Sequence, residues 1–126
     1  MLVRHLWRPA AAATIAAGVP AIALAHAHAK PKIVGNAAAG KPLFVSTCGV
    51  CHMLKAGKSQ GTAGPSLDKV RLPESTIIKA ISSGGASVMT PSLLARYPTR
   101  MPAYRNVLST RQIQDIAAFV YRSTHV

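Results

Sequence analysis

Carboxylates are almost absent from this sequence. Of 126 residues only Asp68, Glu74 and Asp115 are acidic, against 15 lysines and arginines. General acid–base chemistry by a carboxylate pair has little to draw on, and no glycine-rich loop of the phosphate-cradling kind occurs. Aromatics make up 5% of the chain, and its one tryptophan, Trp7, lies near the N-terminus. No stretch alternates as a half-buried strand does. There are only two cysteines, Cys48 and Cys51. A network of several disulfides and a four-ligand Cys zinc site are therefore excluded. No uncharged apolar run reaches the roughly 20 residues that span a bilayer as a helix.

What the sequence does have begins with a basic start, "MLVRHLWRPA", carrying Arg4 and Arg8. The uncharged residues 10–25 follow, and then Ala23-x-Ala25, Ala25-x-Ala27 and Ala27-x-Ala29. This is the layout of a secretory signal peptide over residues 1–29, cleaved after Ala25, Ala27 or Ala29; a retained short anchor is the alternative. Residues 30–38 lack any period and read as a flexible lead-in, leaving residues 39–126 as one small domain. A domain of that size builds a thin core and often leans on a staple or cofactor. The net charge is +12, and +10 without Arg4 and Arg8. Such a balance fits an acidic partner or an anionic membrane face. Nucleic acid is not expected, because the chain is read as exported and no basic patch is interleaved with aromatics.

The pattern predicts an all-α domain of three main helices plus loops. The first occupies residues within 36–51. Asn36 is a possible cap, but Pro42 clashes inside a helix begun there, so a start near Gly40 or Lys41 is expected. Phe44, Cys48 and Cys51 then share a face. Residues 55–72 read as a loop. Pro73 suits the first position of a second helix, Glu74 its first turn and Gly84 its stop, with Ile77, Ile78 and Ile81 inward. Thr90-Pro91 opens a turn or two through Ala95. Ser109 and Gln112 form a capping box for the last helix, whose Ile113, Ile116, Ala117 and Val120 recur at helical spacing.

The chemistry is concentrated in "STCGVCH". A redox dithiol belongs in a strand–helix setting, and no strand is found. A structural zinc needs a second ligand pair, and none exists. C-x-x-C-H remains as the signature of covalent haem attachment. Cysteines three apart on a helical turn point the same way, so each thiol can add to a vinyl group on one porphyrin edge, while His52 offers a ring nitrogen to iron. A haem also supplies the large apolar body that the sequence lacks.

With that motif, "GTAGPSLD", "MPAYRNVLS" and "IQDIAAFVY", the chain resembles class I cytochrome c over roughly residues 39–123. The resemblance implies one haem c bound through Cys48 and Cys51, with His52 as an iron ligand. A second ligand is expected from a methionine. Met53 adjoins His52 and cannot reach the opposite face, and His125 lies past the last helix near the chain end, which leaves Met101 and Met89. Met101 stands in the Met-Pro-x-aromatic setting that family members use for the ligand. The resemblance also implies that the Pro65 carbonyl accepts the far N–H of the iron-bound histidine, and that Gly40, Phe44 and Phe119 mark a crossing of the first and last helices. Residues 86–100 depart from many relatives, in which the ligand methionine follows the Gly-Gly closely. They are either a tolerated surface insertion or a cover for the haem edge bearing Tyr97, Arg96 and Arg100.

The implied function is one-electron carriage by Fe(III)/Fe(II) cycling, without catalysis, in the periplasm or on the outer face of the cytoplasmic membrane. Expected partners are acidic surfaces of electron donors and acceptors, among them membrane respiratory complexes, met by a monomer. The alternatives are a haem subunit of a larger redox enzyme and, ranked below it, a gas-binding or peroxidatic haem protein.

Overall fold

A computed structural model describes residues 32–126. The signal-peptide reading of residues 1–29 lies outside the described residues. Four helices carry the fold: α1 (Ala37–Thr47), α2 (Glu74–Ser83), α3 (Pro91–Arg96) and α4 (Thr110–Thr124). Among the described residues no helix is long and apolar enough to cross a membrane.

Helix α1 starts earlier than the position of Pro42 suggests. The Asn36 side chain accepts from the N–H groups of Ala38 and Ala39 and caps the helix there, with Pro42 inside it. An internal proline costs about 3 kcal/mol or more in lost hydrogen bonding and ring clash. Pro42 has no N–H to offer the Ala38 carbonyl, and Ala38 is exposed. The offset comes from packing. Phe44 is buried against Phe119 of α4, with ring centroids 5.5 Å apart. At Gly40 a Cβ would stand 1.8 Å from the Asp115 carbonyl oxygen. The two backbones touch there, and only glycine allows it.

Among the described residues, the lead-in is bonded to the helices at Val34 and Asn36. Both Glu74 carboxylate oxygens accept from the Val34 N–H, at 3.2 and 3.0 Å, and Asp115 Oδ1 accepts from the Asn36 N–H at 2.7 Å. Helix α1 also ends sooner than its apolar spacing implies. Cys48 is its C-cap, and Cys51 and His52 continue as a turn whose N–H groups both donate to the Cys48 carbonyl. The expected loop at residues 55–72 opens within one small pairing, β1 (Met53–Leu54) antiparallel to β2 (Ser59–Gln60), around a 3₁₀ turn at Lys55–Gly57. Two residues per strand fall below what an alternation pattern can reveal.

Helix α2 begins one residue later than expected, with Pro73 as its N-cap, and buries Ile77 and Ile81. It stops at Gly84, whose φ of +89° is a conformation that favours glycine. Helix α3 is capped by Thr90 and ends at Arg96. The Ser109–Gln112 capping box at the start of α4 has both of its bonds. Helix α4 contributes Ile113, Ile116, Ala117, Phe119 and Val120 to the core.

Candidate functional site

The core is open on one side. Phe44, Ile81, Ile116 and Val120 floor a cavity of about 390 Å³ with largely apolar walls. Cys48, Cys51, His52, Pro65 and Met101 all line it, so the fold brings together residues that lie up to 53 positions apart in sequence. Both cysteines are free thiols. Burial, with Cys51 adding to it, pushes the Cys48 thiol from 9.0 up to about 11, so Cys48 is neutral at physiological pH. The Tyr104 hydroxyl is raised by burial first, then by its proximity to Cys48 and Cys51.

The turn holding Cys51 and His52 is overlaid by the chain that follows. Gly64 N–H donates to the Cys51 carbonyl at 2.8 Å, and Leu67 N–H to that of Met53 at 2.9 Å. A Cβ at Gly64 would lie 2.5 Å from His52 Cε1, so the imidazole is cradled against bare backbone. His52 Nδ1 lies 2.9 Å from the Pro65 carbonyl oxygen. A carbonyl can only accept, so Nδ1 carries the proton and donates. In the neutral ring the lone pair is then on Nε2.

Met101 is fixed by the end of α2. Its carbonyl accepts from Gly85 N–H at 3.2 Å. Tyr104 and Arg105 then donate to the carbonyls of Ile81 and Ser82 at 2.8 and 3.4 Å, which would otherwise be unpaired at the helix terminus. Met101 packs on the buried core from that anchor. Residues 86–100 do not stand off as a surface excursion: Val88, Met89, Leu93, Tyr97, Thr99 and Arg100 form one wall of the cavity. Arg100 secures this wall through the Leu94 carbonyl at 3.3 Å.

These residues fit a haem. The space is largely apolar, two unpaired thiols and an oriented imidazole line it from one turn, and a thioether lines it from a second segment. Among the described residues no group of three His, Cys, Asp or Glu side chains is placed to hold a metal by itself. A bound group that brings its own nitrogen ligands meets that limit.

Comparison with known proteins agrees. Residues 35–120 match the family described as cytochrome c oxidase, cbb3-type, subunit III. The chain belongs to the class I cytochromes c. It is 29% identical over 96 residues to a cytochrome c6 of Rippkaea orientalis (strain PCC 8801 / RF-1), covering 71% of this chain and 73% of that one. The crystal structure of the c-type cytochrome SorU from Sinorhizobium meliloti superposes with a TM-score of 0.52 at 23% identity, covering 69% of this chain and 88% of SorU. The mostly helical fold is thus that of cytochrome c, and the function that goes with this family is monohaem electron carriage.

Sequence reasoning reached the motif residues but missed the glycines that shape their surroundings. Gly61, whose Cβ would fall 2.5 Å from the Cys51 carbonyl carbon, and Gly64 both lie in "GTAGPSLD". Their spacing is a signal that can be recognised only once the partner turn is known.

Proposed function

We propose that this cytochrome is exported and shuttles single electrons between redox proteins outside the cytoplasm. In this reading Cys48 and Cys51 would hold one haem c through thioethers, His52 Nε2 and the Met101 sulfur would be its iron ligands, and the Pro65 carbonyl would orient His52. Bound there, the haem supplies an Fe(III)/Fe(II) couple that gains or loses one electron, with no bond made in a substrate. The observation that carries the reading is the His52–Pro65 contact at 2.9 Å, which presents a basic nitrogen beside two thiols at the cavity. A histidine with its second nitrogen tied to a carbonyl is the usual arrangement of an iron ligand.

The partners are acidic proteins. Glu74 and Asp115 are spent on the backbone of the lead-in, and Asp68 accepts from Lys55 N–H at 2.9 Å. All three carboxylates are therefore engaged, and Arg111–Asp115 is the one ion pair among the described residues. Lys55, Lys58, Lys69, Lys79, Arg96, Arg100 and Arg105 remain exposed. Their field draws an acidic surface toward the protein and speeds encounter. A second reading, a haem subunit held within a larger oxidase, is favoured by the description of the matching family. Stable co-purification with a catalytic chain would select it.

The test is a redox titration of the purified holoprotein followed by absorption. The proposal expects a single one-electron couple, a thioether-to-iron charge-transfer band in the oxidised form, and no ready carbon monoxide binding by the reduced form at neutral pH. Ready binding would reveal an open sixth position and favour gas chemistry instead.

A further inference from the structure

Two methionine sulfurs, not one, converge in the haem cavity. The position of the missing Cβ of Gly85 lies 3.3 Å from Met89 Sδ, 3.7 Å from Met101 Sδ and 3.1 Å from Met101 Cβ. Both sulfurs flank that single point, which holds them within about 7 Å of each other. The backbone of Gly85 joins the two residues as well. Its N–H donates to the Met101 carbonyl at 3.2 Å, and its carbonyl accepts from Met89 N–H at 3.1 Å.

The neighbouring glycines do different jobs. Gly84 is required by its φ of +89°, whereas Gly85 is not among the residues of positive φ. Space is what Gly85 supplies. Any side chain there would press on Met89 and Met101 together. Met89 lies between the 3₁₀ turn at Gly85–Ser87 and the Thr90 cap of α3, in a short piece free of regular structure. It is half-buried and lines the same cavity as His52 and Met101. A methionine has three rotatable side-chain bonds and a soft sulfur, so it can be redirected without moving the helices around it.

We propose that Met89 is a reserve axial ligand, a second thioether that binds the haem iron when Met101 is withdrawn. This rests on the reading of Met101 as the resident ligand. The exchange breaks one iron–sulfur bond and forms another between neutral ligands, so neither the iron charge nor any proton count changes. It keeps a thioether on the iron, and with it the raised potential that thioether ligation gives. A methionine that only fills a gap would leave the iron without sulfur once Met101 is lost.

The experiment compares the thioether charge-transfer band of the oxidised holoprotein in Met101→Ala, Met89→Leu and the double variant. Met101→Leu accompanies them, keeping the side-chain volume in case the alanine variant does not load haem. The expected result is a band that persists, shifted, in the Met101 single variants and is lost in the double variant. Loss of the band in both Met101 single variants would overturn the reserve role while upholding Met101 as resident. Loss of the band in Met89→Leu, with Met101 in place, would overturn the assignment of Met101 itself, and the proposal with it.

Discussion

His52 Nδ1 lies 2.9 Å from the carbonyl oxygen of Pro65, 13 positions further along the chain. That contact settles which imidazole nitrogen is protonated, and the loop carrying it is held by Gly64. In Gly64→Ala the new methyl group would enter the space of His52 Cε1, 2.5 Å away. The ring must tilt or the loop must lift, and either breaks the bond to Pro65. We expect haem-loaded yield to fall by about tenfold, the low end for losing a partner of a metal ligand. Visible spectra of the recovered protein should show loss of the low-spin form. A variant with normal yield and spectrum would mean that the His52–Pro65 bond does not govern ligation.

The crossing of α1 and α4 makes a separate prediction. Gly40→Ala places a methyl group 1.8 Å from the Asp115 carbonyl oxygen, a backbone atom that cannot rotate away. Overpacking of this kind costs about 3 kcal/mol or more. Guanidinium unfolding of the oxidised holoprotein should show a lower midpoint with little change in slope, since the surface exposed on unfolding is the same.

Electron transfer to an acidic partner should depend on salt. Raising ionic strength from about 0.01 to 0.15 M shortens the screening length from about 30 to 8 Å, and steering by unpaired surface cations is expected to weaken by about tenfold in rate. Stopped-flow rates read this directly. A rate indifferent to salt would reject the acidic-partner assignment.

The raised thiol of Cys48 predicts that it is less reactive in the folded apo-chain than in the unfolded one. Its folded value of about 11 lies above the ordinary 9.0, so the neutral thiol favours the folded chain below pH 9.0, and that contribution is lost as pH rises toward about 11. The reactive form is the thiolate. At pH 9 the urea-unfolded apo-chain should therefore alkylate at Cys48 about 50-fold faster than the folded chain, from the difference in thiolate fraction. Mass mapping of the modified peptide measures this, and equal rates would contradict the shift.

How far the sequence reveals this site follows from the range of each interaction. The capping box at Ser109 and Gln112 and the stop at Gly84 are local, and the structure contains both. The start of α1 is not legible locally, because the penalty of Pro42 is outweighed by the contact of Gly40 with Asp115, 75 positions away in the chain. The bonds of Val34 and Asn36 are not legible because their partners, Glu74 and Asp115, belong to other helices. The motif Cys48–His52 is legible because its residues and spacing are those of C-x-x-C-H, a pattern contained in five consecutive residues. The pairing of Met89 with Met101 around Gly85 is not, since it depends on how residues 86–100 fold back over the cavity.

The most direct test of the account is mass analysis of the tryptic peptide containing Cys48, Cys51 and His52, from protein produced with export and haem-attachment machinery and extracted with acidified acetone. The account predicts that haem stays with the protein through extraction, that this peptide carries the mass of one haem, and that neither cysteine reacts with an alkylating reagent. Haem released into the solvent, with Cys48 and Cys51 recovered as two alkylated thiols, would contradict it.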